Sequence, residues 1–239
     1  VIECNLRASR SFPFVSKVTG HNFIDIATKI IMGQYTKKHY NTLDMDYVGV
    51  KTSQFSYNRL KGANPVAHVE MSSTGEVACI GDDLLDAFYK SWQATEMSVK
   101  RKRIFLSIGG DNKSKLLQEV RLLSECGWTI YTTDGTQRYL EKNDIPSTCV
   151  HKLSEDKDPT VENLIINREV DLIINIPRRE RHVSEEHVSD GFRIRRLAID
   201  HHVPLITNLQ IAEIMMQSLA KLHGRPVEVA SWKEYMALK

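Results

Sequence analysis

The first residues of the chain bring a carboxylate, an amide and two guanidinium groups close together. Glu3, Asn5 and Arg7 alternate along a predicted strand, so their side chains share one face. Arg10 follows just beyond that strand. Carboxylate and amide oxygens are ligands that Mg²⁺ accepts, and guanidinium groups bind phosphate oxygens. The residue types suit a metal-assisted phosphate site, but the spacing alone favours the alternative, an edge strand with solvated polar side chains.

A second polar set follows the ends of predicted strands in the second half of the chain. Amides freed by glycine, hydroxyls and ammonium groups can cradle a phosphate there, and an amide side chain can contact a ribose or a base. The members of this set are Lys113, Thr133, Thr136, Lys152 and Asn175. In an open parallel sheet the carboxyl ends of the strands meet at one edge, so this set is predicted to converge. The alternative is that the threonines cap a helix and the lysines are solvated.

The elements that must position this second set alternate regularly after residue 103. Apolar and β-branched runs predict five strands, at residues 104–108, 128–131, 149–153, 171–176 and 203–207. Helical apolar spacing predicts helices at residues 112–126, 136–142, 159–168, 191–200 and 212–222. Strands that alternate with helices indicate an α/β fold with a parallel sheet covered on both faces.

The first half of the chain has a different pattern. It predicts an amphipathic helix at 23–31, a strand at 47–55, two short strands within 66–80 and a helix at 83–94. The basic segment 97–103 is typical of an exposed linker. Two domains are predicted, with the boundary between residues 98 and 99.

Composition narrows the class of protein. The 32 basic residues nearly balance the 30 acidic ones, so neither a nucleic acid nor a membrane is expected to bind through bulk charge. The four cysteines contain no CxxC pair, which argues against a zinc ribbon. With neither a secretory signal nor a spanning segment visible, a cytoplasmic location is expected. The chain starts within an apparent strand, so it is expected to begin inside a domain.

Two stretches of the first half resemble a known family. Residues 3–20, Glu-Cys-Asn-Leu-Arg-Ala-Ser-Arg-Ser-Phe-Pro-Phe-Val-Ser-Lys-Val-Thr-Gly, closely resemble the C-terminal synthetase half of the carbamoyl phosphate synthetase large chain. Residues 70–77, Glu-Met-Ser-Ser-Thr-Gly-Glu-Val, resemble the same enzyme. The resemblance implies that residues 1–98 are the C-terminal, incomplete portion of an ATP-grasp synthetase domain.

The resemblance also implies roles for the first polar set. Glu3 and Asn5 would help to hold the Mg²⁺ or Mn²⁺ ions that bridge the phosphates of ATP. Arg7 and Arg10 would steady the phosphoryl group as ATP phosphorylates carbamate. Phosphoryl transfer depends mainly on positioning and charge neutralisation, which these groups supply. The glycine-rich loop and adenine pocket of the family would precede Val1, so the isolated chain is predicted not to make carbamoyl phosphate.

The second half resembles the methylglyoxal-synthase-like regulatory domain that ends the same large chain. The match is carried by Thr133-Asp-Gly-Thr136. It implies that residues 99–239 form an allosteric domain in which the second polar set binds an effector. A lysine at position 152 favours an effector that carries phosphate. The preferred interpretation is that the effector is a uridine nucleotide, UMP or UTP, and that the parent enzyme is of the eukaryotic pyrimidine type.

Several points stay open at this stage. The resemblance implies bicarbonate, glutamine-derived ammonia and a glutaminase, separate or fused, as partners of the parent ligase, and it leaves a homo-oligomer open. The alternative function is a stand-alone lyase of the methylglyoxal synthase kind, which eliminates phosphate from dihydroxyacetone phosphate. That chemistry needs a carboxylate base beside the phosphate, and Asp158 aligns loosely with one.

Overall fold

A computed structural model describes most of the chain. The described residues are 11–34, 45–59, 61–66, 73–95, 97–152, 155, 157–177 and 189–237. Glu3, Asn5, Arg7 and Arg10 lie outside them, so the predicted metal and phosphate site at the start of the chain stays a prediction.

The first half contributes three helices and a two-stranded antiparallel sheet. The helices are α1 (Ser11–Thr19), α2 (Phe23–Ile31) and α3 (Leu84–Gln93), and the strands are β1 (Val48–Gln54) and β2 (Gly75–Gly81). The predictions of α2, β1 and α3 are confirmed to within two residues. Helix α1 was not predicted. The second short strand predicted within 66–80 corresponds to β2, which begins at Gly75.

The second half forms a five-stranded parallel sheet, as predicted. Its strands are β3 (Arg103–Ile108), β4 (Thr129–Thr132), β5 (Thr148–Cys149), β6 (Leu172–Ile176) and β7 (Leu205–Ile206). They lie side by side in the order β5-β4-β3-β6-β7. All five residues of β6 are buried, as expected for a strand covered on both faces.

Helices cover both faces of this sheet. The helices of this half are α4 (Asn112–Lys115), α5 (Leu117–Glu125), α6 (Asp134–Glu141), α7 (Val161–Ile166), α8 (Asp190–Asp200), α9 (Leu209–Leu222) and α10 (Trp232–Ala237), of which α10 packs against the first half of the chain instead of the sheet. On the central strand, Leu106 faces the core beneath α5 and α9, whereas Phe105 faces the core beneath α7 and α8. This alternation follows from the two-residue period of a strand.

Several boundaries differ from those predicted. The helix expected at 112–126 is interrupted at Leu116, which is fully buried and has non-helical torsion angles of −108° and 6°. The third and fifth strands of the sheet pair over two residues each, fewer than predicted, because they lie at its edges. Helix α10 was not predicted, and its Tyr235 packs against Tyr47 of the first half.

Helix α3 shares the core of the parallel sheet although it precedes the basic segment 97–103. Its Phe88, Tyr89 and Trp92 are at most 6% exposed and belong to the same apolar cluster as Met215 and Leu219 of α9. Ser218 Oγ also donates a hydrogen bond to the Leu85 carbonyl of α3, at 3.3 Å. The two halves of the chain are therefore packed against each other through α3 and α9.

Candidate anion-binding site

The strand order creates a crevice between β3 and β6. From β3 the chain passes to β4 and β5 on one side, and it returns to β6 and β7 on the other. Ser107 of β3 lies opposite Asn175 of β6, and the Gly109 N–H donates to the Ile176 carbonyl at 2.9 Å. Ligands of open α/β sheets bind at the carboxyl ends of the strands where the order reverses in this way. The predicted residue Asn175 stands at that point.

The first turn of α6 is joined to the same crevice by Thr136. This side chain is 1% exposed, and its Oγ1 accepts a hydrogen bond from the Ile108 N–H at 3.3 Å. The bond uses a lone pair of the hydroxyl group and leaves its O–H free to donate. Thr136 thus links the end of β3 to α6, and its O–H can donate to an anion.

Thr133 occupies the N-cap position of α6 without capping it through its side chain. Its backbone is extended, with torsion angles of −72° and 153°, and its carbonyl accepts from the N–H groups of Thr136 and Gln137 at 2.9 Å. The alternative that both threonines serve as helix caps is therefore wrong for their side chains.

The two predicted lysines lie on different elements of the second half. Lys113 lies on α4, and its Nζ is 3.4 Å from the Gly110 carbonyl. It lines an open groove of about 400 Å³ together with Gly135, Arg138 and Lys142 of the α6 region. Lys152 follows β5 and is half-buried. Within the described part of the chain, neither lysine forms an ion pair with a carboxylate.

Arg195 of α8 completes the crevice, and the sequence analysis missed it. Its side chain is 5% exposed, and its Nη1 donates to Asn175 Oδ1 at 2.8 Å. Burial lowers the pKa of this guanidinium from its usual value. Among the described residues it meets no carboxylate. An arginine beside Ile194 and one turn before Ala198, on the buried stripe of a helix, is the signal that would have revealed it.

Gly191 permits the close packing of this corner. A Cβ built on Gly191 would lie 3.1 Å from Arg195 Nη1 and 3.7 Å from Asn175 Oδ1. A side chain at this position would crowd the guanidinium of Arg195. Ser189 caps the same helix by accepting from the Phe192 N–H at 3.3 Å.

Asp158, the possible base of the alternative lyase, is bound elsewhere. It is exposed, and its Oδ1 accepts from Asn163 Nδ2 of α7 at 3.3 Å.

The described residues contain no group of three or more histidine, cysteine, aspartate or glutamate side chains suited to a metal ion. No helix in the described part is long and apolar enough to cross a membrane.

Comparison with known proteins first defines the class of the second half. Residues 115–207 match the family model described as an MGS-like domain. The match includes Thr133, Thr136, Lys152 and Asn175, and Lys113 lies two residues before it. This match agrees with the predicted fold class.

Other relatives match nearly the whole of this chain, including its first half. Multifunctional protein URA2 of Saccharomyces cerevisiae is 43% identical over 229 residues, which cover 92% of this chain and 10% of that protein. The mitochondrial carbamoyl-phosphate synthase (ammonia) of Homo sapiens is 38% identical over 252 residues, which cover 100% of this chain and 16% of that protein. The resemblance to the carbamoyl phosphate synthetase large chain is thus confirmed.

Two further facts describe how far these similarities extend. The chain spans between a tenth and a sixth of the length of the relatives named above. Among solved structures, methylglyoxal synthase from Elizabethkingia anophelis NUHP1 aligns with 57% of this chain and 90% of its own, at 18% identity and a TM-score of 0.41.

Proposed function

We propose that the crevice between β3 and β6 binds a uridine nucleotide, UMP or UTP, and that this nucleotide regulates a carbamoyl phosphate synthetase of which the chain is a part. The observation that supports the proposal is the bond between Thr136 Oγ1 and the Ile108 N–H, which holds a buried hydroxyl group at the carboxyl end of β3. Donors of this kind are what phosphate oxygens require.

The phosphate would be bound by Lys113, Thr133, Thr136 and Lys152. Both lysines lack a carboxylate partner among the described residues, so their charges are available to an anion. Arg195 adds a buried positive charge at the same end of the sheet. A dianionic phosphate would offset the cost of burying that charge, since an unpaired charge in a protein interior is unfavourable.

Asn175 would contact the sugar or the base. Arginine can only donate hydrogen bonds, so the contact at 2.8 Å requires the amide oxygen of Asn175 to face Arg195. The amide nitrogen is then the atom left for a ligand. It would donate to an acceptor such as a ribose oxygen or a uracil carbonyl.

The parent reaction belongs to the same proposal. Glu3 and Asn5 offer the hard oxygen ligands that suit Mg²⁺ or Mn²⁺, and Arg7 and Arg10 offer charge to the phosphates of ATP. The bound metal would supply charge neutralisation during phosphoryl transfer. Bicarbonate, glutamine-derived ammonia and a glutaminase are the proposed substrates and partner. A cytoplasmic location also stays a prediction, because one of the relatives is named as mitochondrial.

The lyase alternative is not favoured. The relatives that match nearly the whole chain are named as a synthase and a multifunctional protein. Asp158 is exposed and bound to Asn163 on α7. Release of phosphate from dihydroxyacetone phosphate by the purified chain would revive this alternative.

Calorimetric titration of the chain with UMP and with UTP tests the proposal. Lys152→Met is expected to weaken binding by about 10-fold or more, because one charge-assisted hydrogen bond contributes about 1.5–3 kcal/mol. Lys157→Met is the matched control, since Lys157 is an exposed lysine of the same loop region. Absence of binding for every nucleotide tested, or equal losses in both variants, would contradict the proposal.

A further inference from the structure

Arg195 contacts both halves of the chain at once. Its Nη1 donates to Asn175 at the crevice, at 2.8 Å, and its Nε donates to Asn64 Oδ1 of the first half, at 3.3 Å. The guanidinium is 5% exposed, yet both acceptors are neutral amides. A buried cation held by two neutral acceptors has capacity for an anion.

The adjacent arginine holds the same segment of the first half. Arg196 donates from Nη1 to the Tyr57 carbonyl at 3.2 Å and to the Ala63 carbonyl at 3.3 Å. Its Nε donates to both carboxylate oxygens of Asp200 at 3.1 Å. Two consecutive residues of α8 therefore attach the segment 57–64 to the domain that carries the crevice.

The two contacts of Arg195 differ in strength. The bond to Asn175 is 0.5 Å shorter than the bond to Asn64, as the distances of 2.8 Å and 3.3 Å show. Asn64 is an exposed residue, and its Oδ1 also accepts from the Val66 N–H at 3.3 Å. The Asn64 contact is thus the weaker one, and a charged acceptor near the guanidinium would displace it first.

We propose that Arg195 links the crevice to the segment 57–64 by competition: an anionic ligand and Asn64 compete for the same guanidinium. This inference rests on the proposed function. Binding of the nucleotide draws Arg195 toward its phosphate and releases Asn64, so the segment 57–64 is held less tightly when the site is occupied. Because the two interactions exclude each other, a change that strengthens the Asn64 contact is expected to weaken nucleotide binding, and a change that removes the contact is expected to strengthen it.

Substitutions of Asn64 test this link, because the residue is exposed and belongs to the other half of the chain. Asn64→Ala removes the competitor and is expected to tighten UMP binding, measured by calorimetry. Asn64→Asp provides a charged competitor and is expected to weaken it. Each change is expected to reach about fivefold, the lower end of typical coupling between sites. Circular dichroism of each variant verifies that the fold is intact.

Matched control variants distinguish competition for Arg195 from a general effect of added charge on nucleotide binding. Asn167 is an exposed asparagine at the end of α7, so Asn167→Ala and Asn167→Asp make the same chemical changes away from Arg195. Opposite effects of the two Asn64 substitutions, with neither Asn167 substitution altering affinity, would support the proposal. If the chain binds UMP but the Asn64 variants bind it equally well, or both bind it more weakly, the link is wrong and the nucleotide site stands. If the unsubstituted chain binds no nucleotide, both proposals fail.

Discussion

The hydroxyl oxygen of Thr136 lies 3.3 Å from the backbone nitrogen of Ile108, although 28 positions separate the two residues. Ile108 is the last residue of β3, and Thr136 lies in the first turn of α6. The Thr136 side chain therefore supplies the acceptor that a backbone N–H at the end of a parallel strand needs.

Thr136→Val is expected to lower the free energy of unfolding by about 1–3 kcal/mol, because the buried N–H of Ile108 loses its acceptor while side-chain volume is kept. Urea unfolding measures this loss. Thr133→Val is the matched control, since the Thr133 side chain makes no cap bond to α6. Equal stability of the two variants would contradict the structural role given to Thr136.

Asn175→Asp is expected to weaken UMP binding by at least about tenfold, because it places a carboxylate where a phosphate-bearing ligand is proposed to bind. The new carboxylate would pair with Arg195, so the unfolding midpoint is not expected to fall. Titration calorimetry measures the affinity. Asn167→Asp, at the exposed end of α7, makes the same substitution at a residue outside the proposed site. Unchanged affinity in Asn175→Asp with an intact fold would exclude Asn175 from the site.

Asp200→Asn tests the ion pair between Asp200 and Arg196, the arginine that also donates to the carbonyls of Tyr57 and Ala63. The hydrogen bond from Arg196 lowers the pKa of the Asp200 carboxyl in the folded state. A depressed pKa stabilises the fold above the unfolded-state pKa, and this contribution is lost as the pH falls through the folded-state pKa. Because the Asp200 side chain is 49% exposed, the expected loss at pH 7 is under about 1 kcal/mol.

The pH series provides the decisive comparison for Asp200. Chemical unfolding of Asp200→Asn and of the unsubstituted chain is expected to differ near neutrality and to converge in acid, below the folded-state pKa. A difference that persists undiminished at acid pH would show that the ion pair is not its cause.

Trp92→Ala is expected to cost about 3–5 kcal/mol of unfolding free energy, because Trp92 is 6% exposed and packs in the core shared by α3 and α9. Fluorescence and circular dichroism followed during urea unfolding measure the loss. Leu122→Ala, at a position of α5 that is 40% exposed, is the control and is expected to cost much less. If the parallel-sheet half kept its stability in Trp92→Ala, the packing of α3 would not contribute to it.

The sequence predicted the elements well where their periodicity is strong. The alternation of apolar runs and helical spacing after residue 103 was enough to predict five parallel strands with helices on both faces, which the structure confirms. Boundaries were less predictable at the edges of the sheet, because the length of β5 and β7 depends on how far a neighbouring strand continues. The interruption at Leu116 was also missed, since the apolar spacing of the segment fits one continuous helix.

The sequence alone determined which polar side chains follow the ends of the predicted strands. The threonine, lysine and asparagine side chains that follow the strands were identified from residue type and position, because the ends of parallel strands must meet at one edge. Only the tertiary structure decided how these groups are connected. Thr136 reaches β3, and Arg195 reaches both Asn175 and Asn64. Those contacts join residues 20 to 131 positions apart, and their formation depends on the packing of α6 and α8 against the sheet, which no local pattern specifies.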